Sequence, residues 1–311
     1  MIWQTVVAEP SELGESPFWH RTEQRLYWVD IDGRKISRCT VACGLVESWA
    51  MPEEPGCIAP ALSRDGSGGL LIALRSGLYR AAEWGGPLRL LIAAPYDTAT
   101  TRFNDGKADP LGRFWAGTVY ELRTDPLAGL FSFDVRDGEP AAMVRQAGGA
   151  TVANGLAWSP DAKTLYWSDT TSHTIRAWDW DAAANRMSNE RMFKRWPLKP
   201  AGWRADDPAA PFYGGRPDGA AVDSAGNYYV AMFEGARLLK LSPAGEVLAD
   251  IAVPAQCPTM PCFGGPDLKT LYLTTARRGR PASELSRFPQ SGCVLSLRVD
   301  VPGLPANVFA G

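Results

Sequence analysis

Four polar residues recur at one place in a repeating pattern, and their types suit a hard cation. Glu15, Asn104, Asn154 and Asp218 each stand ten or eleven residues ahead of a short aromatic and aliphatic segment. These segments are LYWVD from Leu26, FWAGT from Phe114, LYWSD from Leu165 and YYVAM from Tyr228. Two carboxylates held side by side inside a fold are costly unless a cation or protons compensate them. With two amide oxygens, and neither sulfur nor imidazole, they form an all-oxygen cage. Such a cage suits Ca²⁺, Mg²⁺ or Mn²⁺ and is open to Zn²⁺ or Fe²⁺. The chain has only two His, His20 and His173, so a three-His zinc site is impossible. Arg102 precedes Asn104 by two residues, and strand alternation places both on one face. A guanidinium there suits an oxygen-rich neutral or anionic substrate.

The elements that must position these residues are strands. Two further segments, LLIAL from Leu70 and LYLTT from Leu271, share the same grammar, and the six are spaced by 44, 44, 51, 63 and 43 residues. Each follows a polar turn such as SPDAKT or DSAGN, and no stretch sustains a 3.6-residue period. A period near 44 with about four short strands per unit is the signature of a propeller blade. The predicted fold is all-β, a six-bladed β-propeller formed as a single domain over residues 1–311, with the metal site at one mouth of the central channel. Ile2 to Val7 is expected to complete the last blade and so remove an exposed edge. Blades two and six place apolar residues, near Ala59 and Met260, at the position of the polar four.

The 63-residue interval carries an insertion, residues 197–216, rich in Pro, Gly and Ala. Loops of that length are usually functional or disordered. The link from a fourth strand to the next blade lies on the metal-bearing face. The insertion is therefore expected to form part of a lid, with Trp203, Phe212 and Tyr213 offering stacking surface to a sugar ring. His173 lies in a turn on the same face and is expected at the rim rather than in the chemistry.

Composition narrows the partners. With 32 Lys plus Arg against 34 Asp plus Glu, the chain lacks the basic excess that nucleic-acid binding calls for. Its longest uncharged apolar run falls short of a membrane helix, and MIWQTVVAEP lacks the basic start and apolar core of a secretory leader. A cytoplasmic protein is expected, a monomer or weak homo-oligomer with no membrane partner. Its six Cys are expected to be reduced, structural thiols.

The chain resembles the regucalcin–gluconolactonase (senescence marker protein-like) family of sugar lactonases. The carriers are GESPFW at 14–19, RFNDGKADPLGRFWAGT at 102–118, NGLAWSPD at 154–161, PDGAAVD at 217–223 and PCFGGPDLKTLYLTTAR at 261–277. The terminal FAG resembles bacterial xylonolactonase-like members. The resemblance implies Glu15, Asn154 and Asp218 as ligands of one divalent ion, with Asp218 also as base, and Arg102 and Asn104 as contacts to the lactone. The family often carries a substrate-touching Glu shortly after AGT, and Glu121 is the nearest candidate. The implied reaction is hydrolysis of a glucono-, xylono- or arabinolactone to the open-chain acid. Rival readings are a metal-dependent hydrolase of organophosphates or aryl esters, and a calcium-binding propeller without catalysis.

Overall fold

Each of the six segments becomes the second strand of an antiparallel sheet, and six such sheets form the blades of a propeller. The structure, a computed structural model, describes residues 2–136, 142–207 and 209–311. The first strands are Gly14–His20, Pro55–Leu62, Thr101–Ala108, Ala153–Trp158, Arg216–Val222 and Cys257–Gly264, for blades one to six. The turn chemistry is local. In DSAGN, Asp223 Oδ1 accepts from the backbone N–H of Ala225 and of Asn227 at 3.0 and 2.9 Å, and Gly226 supplies a φ of +84°.

Aromatic and β-branched residues alternate along these strands and fill the seams between blades. One apolar cluster occupies each seam. The seam between blades three and four gathers Trp115, Trp158, Trp167, Trp178 and Trp180. The ring closes as expected: Gln4–Val7 pairs antiparallel with Val294–Arg298 as the outer strand of blade six, with Gln4 opposite Ser296.

A second closure lies at the other terminus. Phe309–Ala310 runs parallel to Pro55–Leu62, so blade two has five strands. On its way the tail bonds blade five through Leu304 N to Val222 O at 3.2 Å. It reaches blade three through Asn307 Nδ2 to Ala108 O at 3.1 Å. These partners sit at the ends of first strands opposite to Glu15 and Asp218, so the tail crosses the face away from the polar four. Among the described residues the one helix, Ala282–Arg287, lies between the second and third strands of blade six, and no helix is long and apolar enough to cross a membrane. All six Cys are free, and all but Cys43 are buried.

Candidate active site at the channel mouth

The polar four share a bulge. In all six blades the pairing of first and second strands slips by one residue near its start, after Glu15, Pro55, Phe103, Asn154, Pro217 and Pro258. A bulge leaves a residue unpaired and re-aims the side chains beside it. The first residues of the six segments face Trp19, Pro60, Ala108, Trp158, Val222 and Phe263. Stepping back by the same interval gives Glu15, Gly56, Asn104, Asn154, Asp218 and Thr259. The expected Ala59 and Met260 are thereby corrected to Gly56 and Thr259, because the first hairpin turn is longer in blades two and six and counting along the chain misses the true register. Neither contributes a donor to the mouth. A Cβ on Gly56 would lie 2.4 Å from the Phe103 carbonyl oxygen, and Thr259 Oγ1 donates to Gly14 O at 2.5 Å.

Hydrogen bonding fixes the two amides in opposite senses. Thr170 has one hydroxyl hydrogen, which it donates to Pro217 O at 2.7 Å. It can therefore only accept from Asn154, whose Nδ2 lies 2.8 Å away. Asn154 Oδ1 is thus turned to the other side, where it accepts from Asn104 Nδ2 at 2.9 Å and keeps a lone pair. Asn104 spends its hydrogens on Asn154 Oδ1 and Ala153 O, and its own oxygen accepts from Arg102 Nη1 at 2.9 Å. Backbone geometry assists, since Gly155 after Asn154 has φ +62°. A Cβ there would sit 2.4 Å from the Tyr228 hydroxyl, so only glycine fits.

Glu15 and Asp218 are each 5% exposed, and among the described residues neither has a Lys, Arg or His nitrogen within ion-pair distance. The hydrogen bond to Glu15 is a 3.2 Å contact from the Ser16 N–H. Burial pushes the Glu15 carboxyl well above its ordinary range, and repulsion from Asp218 and Asp105 pushes it further. Burial does the same to Asp218, against partial relief from Arg216. Two buried carboxylates lacking a positive partner fit a divalent cation. Among the described residues no three His, Cys, Asp or Glu converge, so the outward-facing oxygen of Asn154 is the natural third donor.

Comparison with known proteins places the chain in a family. Residues 13–277 match the family described as SMP-30/Gluconolactonase/LRE-like region. The chain belongs to this family. It is 43% identical to a 6-deoxy-6-sulfogluconolactonase of Pseudomonas putida over 98% of both chains. It is 32% identical to the regucalcin of Danio rerio, over 99% of this chain and 98% of that one. In fold it is similar to the crystal structure of a calcium-binding regucalcin from Agrobacterium tumefaciens, with a TM-score of 0.87. That match is 23% identical and covers 99% of this chain and 97% of the other.

Around the polar centre lies a cavity of about 360 Å³, lined among others by Glu15, Arg102, Asn104, Glu121, Asn154 and Asp218. All six residues singled out in the sequence meet there. Glu121 is held by Arg75 in a two-pronged pair at 2.8 and 3.1 Å, and lies 3.5 Å from Arg102 Nε. The hydrogen bond from Arg75 keeps the Glu121 carboxyl below its usual range. Sequence reasoning missed Thr170, Arg123, Arg216 and Arg278, which also line the cavity. The aromatics of the insertion depart from expectation: Trp203, Phe212 and Tyr213 are not among the cavity's lining residues. Trp203 packs edge-on against Tyr213 at 4.9 Å, and Phe212 is 86% exposed. His173 is buried and does not line the cavity, and its Nε2 lies 2.6 Å from the Tyr213 hydroxyl, so it anchors the insertion.

Proposed function

We propose that this chain hydrolyses an aldonolactone to the open-chain sugar acid, with one divalent ion held by Glu15, Asn154 and Asp218. The observation that carries the reading is the pair of buried carboxylates without a cationic partner beside an amide oxygen that Thr170 turns outward. The names of the Pseudomonas relative and of the family supply the substrate class.

A bound divalent ion would supply Lewis acidity for the lactone carbonyl and lower the pKa of water. The rest of the work falls to side chains. Asp218 accepts a proton from the attacking water as the new C–O bond forms. The acyl bond to the ring oxygen then breaks, and that oxygen takes the proton back from Asp218 and leaves as a hydroxyl. Arg102, tied by Phe103 O and Asn104 Oδ1 at 2.8 and 2.9 Å, presents a fixed positive charge to the oxyanion. Asn104 sets that guanidinium, and Glu121 limits its travel from the far side. Of residues 197–216, Arg216 lines the mouth, and we read the propeller and this insertion as one domain.

The test is a chelated protein titrated with Ca²⁺, Mg²⁺, Mn²⁺, Zn²⁺ and Fe²⁺ while acid release is followed on glucono-, xylono- and arabinolactone. Calorimetric ion binding is measured alongside. Saturable binding of one ion that restores hydrolysis is expected, and is lost in Glu15→Ala. Full hydrolysis by chelated Glu15→Ala protein refutes the metal role, and organophosphate or aryl ester turnover without lactone turnover refutes the substrate class.

A further inference from the structure

The mouth holds more positive charge than the proposed chemistry uses. Four arginines line its cavity: Arg102, Arg123, Arg216 and Arg278. Arg102 faces Glu121. Arg278 is paired with Asp32 through Nε and Nη1 at 2.8 and 3.0 Å. Arg216 Nη2 lies 3.2 Å from Glu234, but that carboxylate is shared with Lys199 and Arg280, each at 2.9 Å. Arg280 is also gripped by Glu284, which leaves Arg216 and Lys199 sharing one carboxylate, and the buried Nε of Arg216 has no hydrogen-bond partner among the described residues. Arg123, on the turn after Phe114–Tyr120, has its backbone N–H on Tyr120 O at 3.1 Å and its φ at +55°, but its side chain makes no ion pair or hydrogen bond among the described residues. Arg123, Arg216 and Arg278 all line the one cavity.

Like charges gathered at a mouth are unfavourable unless something anionic joins them. The carboxylates within reach do not supply it: Glu15 and Asp218 are committed to the ion, and Glu121 is gripped by Arg75. Arg123 and Arg216 come from blades three and five and flank the Thr170–Thr171 turn of blade four, so their planar donor forks border one space. Such forks match an oxyanion with several equivalent oxygens better than a hydroxyl.

Resting on the lactonase reading, we propose that Arg123 and Arg216 form an anion subsite that selects sugar lactones bearing a strong-acid group, sulfonate or phosphate, remote from the lactone carbonyl. Arg278 borders the subsite and adds to its field. Glu234 is a positioning residue, since it fixes the far end of the Arg216 guanidinium and leaves the inner edge free.

The test uses the ion-loaded full chain with gluconolactone and with gluconolactone carrying a 6-phosphate or a 6-sulfonate. The phosphate and sulfonate arms show which anion the subsite takes. Wild type should favour at least one anionic lactone in kcat/KM by roughly tenfold or more, the scale of one charge-assisted hydrogen bond. This advantage should appear in KM and shrink as salt is raised. Arg123→Gln, on an exposed turn, should remove most of the advantage while changing the neutral lactone by less than about threefold. Arg216→Gln should do the same, with Arg216→Lys restoring part of it. Equal losses on neutral and anionic lactones, or no anionic preference in wild type, overturn the subsite. A binding arm keeps the two readings apart: calorimetry with sorbitol 6-phosphate against sorbitol. Tighter, Arg123-dependent binding of the phosphate without turnover of any lactone would support the subsite and sink the lactonase reading. Turnover without such binding would do the reverse.

Discussion

Replacing Thr170 with Val keeps the shape of the side chain and deletes the hydroxyl that sets the Asn154 amide. In the wild type that oxygen gives its hydrogen to Pro217 O at 2.7 Å and receives one from Asn154 Nδ2 at 2.8 Å. The variant strands a buried carbonyl and a buried amide hydrogen, each costing roughly 1–3 kcal/mol. The amide can recover a partner only by turning over, which would present its NH₂ group to the ion in place of Oδ1. Loss of an outer-sphere partner of this kind weakens metal binding by about 10–100-fold, or roughly 1.4–2.7 kcal/mol. Thr170→Val should therefore raise the dissociation constant for Mn²⁺ by that factor in calorimetry and lower the unfolding temperature of the chelated protein by a few degrees. Thr170→Ser, which keeps the hydroxyl, should restore most of both. If Val and Ser variants bind the ion equally, and as tightly as wild type, the amide is not oriented by this hydroxyl and the reasoning fails.

Asp218→Asn should retain part of the ion affinity through its amide oxygen yet lose most of kcat. Full kcat with weaker ion binding would place the base elsewhere. In the chelated protein, Glu15 and Asp218 have raised folded pKa values and so hold protons that the unfolded chain releases above about 4. Its unfolding temperature should fall as pH rises from about 5 to 8 relative to the ion-loaded protein, and parallel profiles would contradict this. Burial lowers the pKa of His173 below its ordinary value, so the unfolded state binds its proton first as pH falls. Stability from the neutral His173 is complete above about 6.5 and declines below it, and His173→Gln should flatten that decline in thermal scans of ion-loaded protein between pH 7 and 5.

The repeat was legible because strand, turn and spacing are all local properties. LYWVD, LYWSD and their siblings announce second strands, and the polar residues upstream announce first ones. Their register was less legible, since turn length varies between blades, and Gly56 was hidden behind a longer hairpin. Glu15 and Asp218 stood out because a carboxylate at a channel-lining position needs a reason. Thr170 did not, although it lies in the turn after LYWSD, because a threonine in DTTSHT reads as turn chemistry. Only the distance to Pro217 O shows where its hydrogen goes. The aromatics of residues 197–216 misled for a related reason. Composition shows that rings are present, but not that Tyr213 is claimed by His173 and Trp203.

The shared bulge amounts to a single address written six times around a ring, and the blades differ only in what is delivered there. Four addresses hold oxygen donors or their supports, so the chemistry of the centre could be rewritten without touching the architecture. The two remaining addresses are not equally open. At Gly56 the backbone of blade three has already taken the space a side chain would need. At Thr259 a side chain of useful length stands at the right height, occupied with a bond to Gly14 O that another anchor could replace. Divergence of ion preference among proteins built this way would thus have an easy door at blade six and a closed one at blade two.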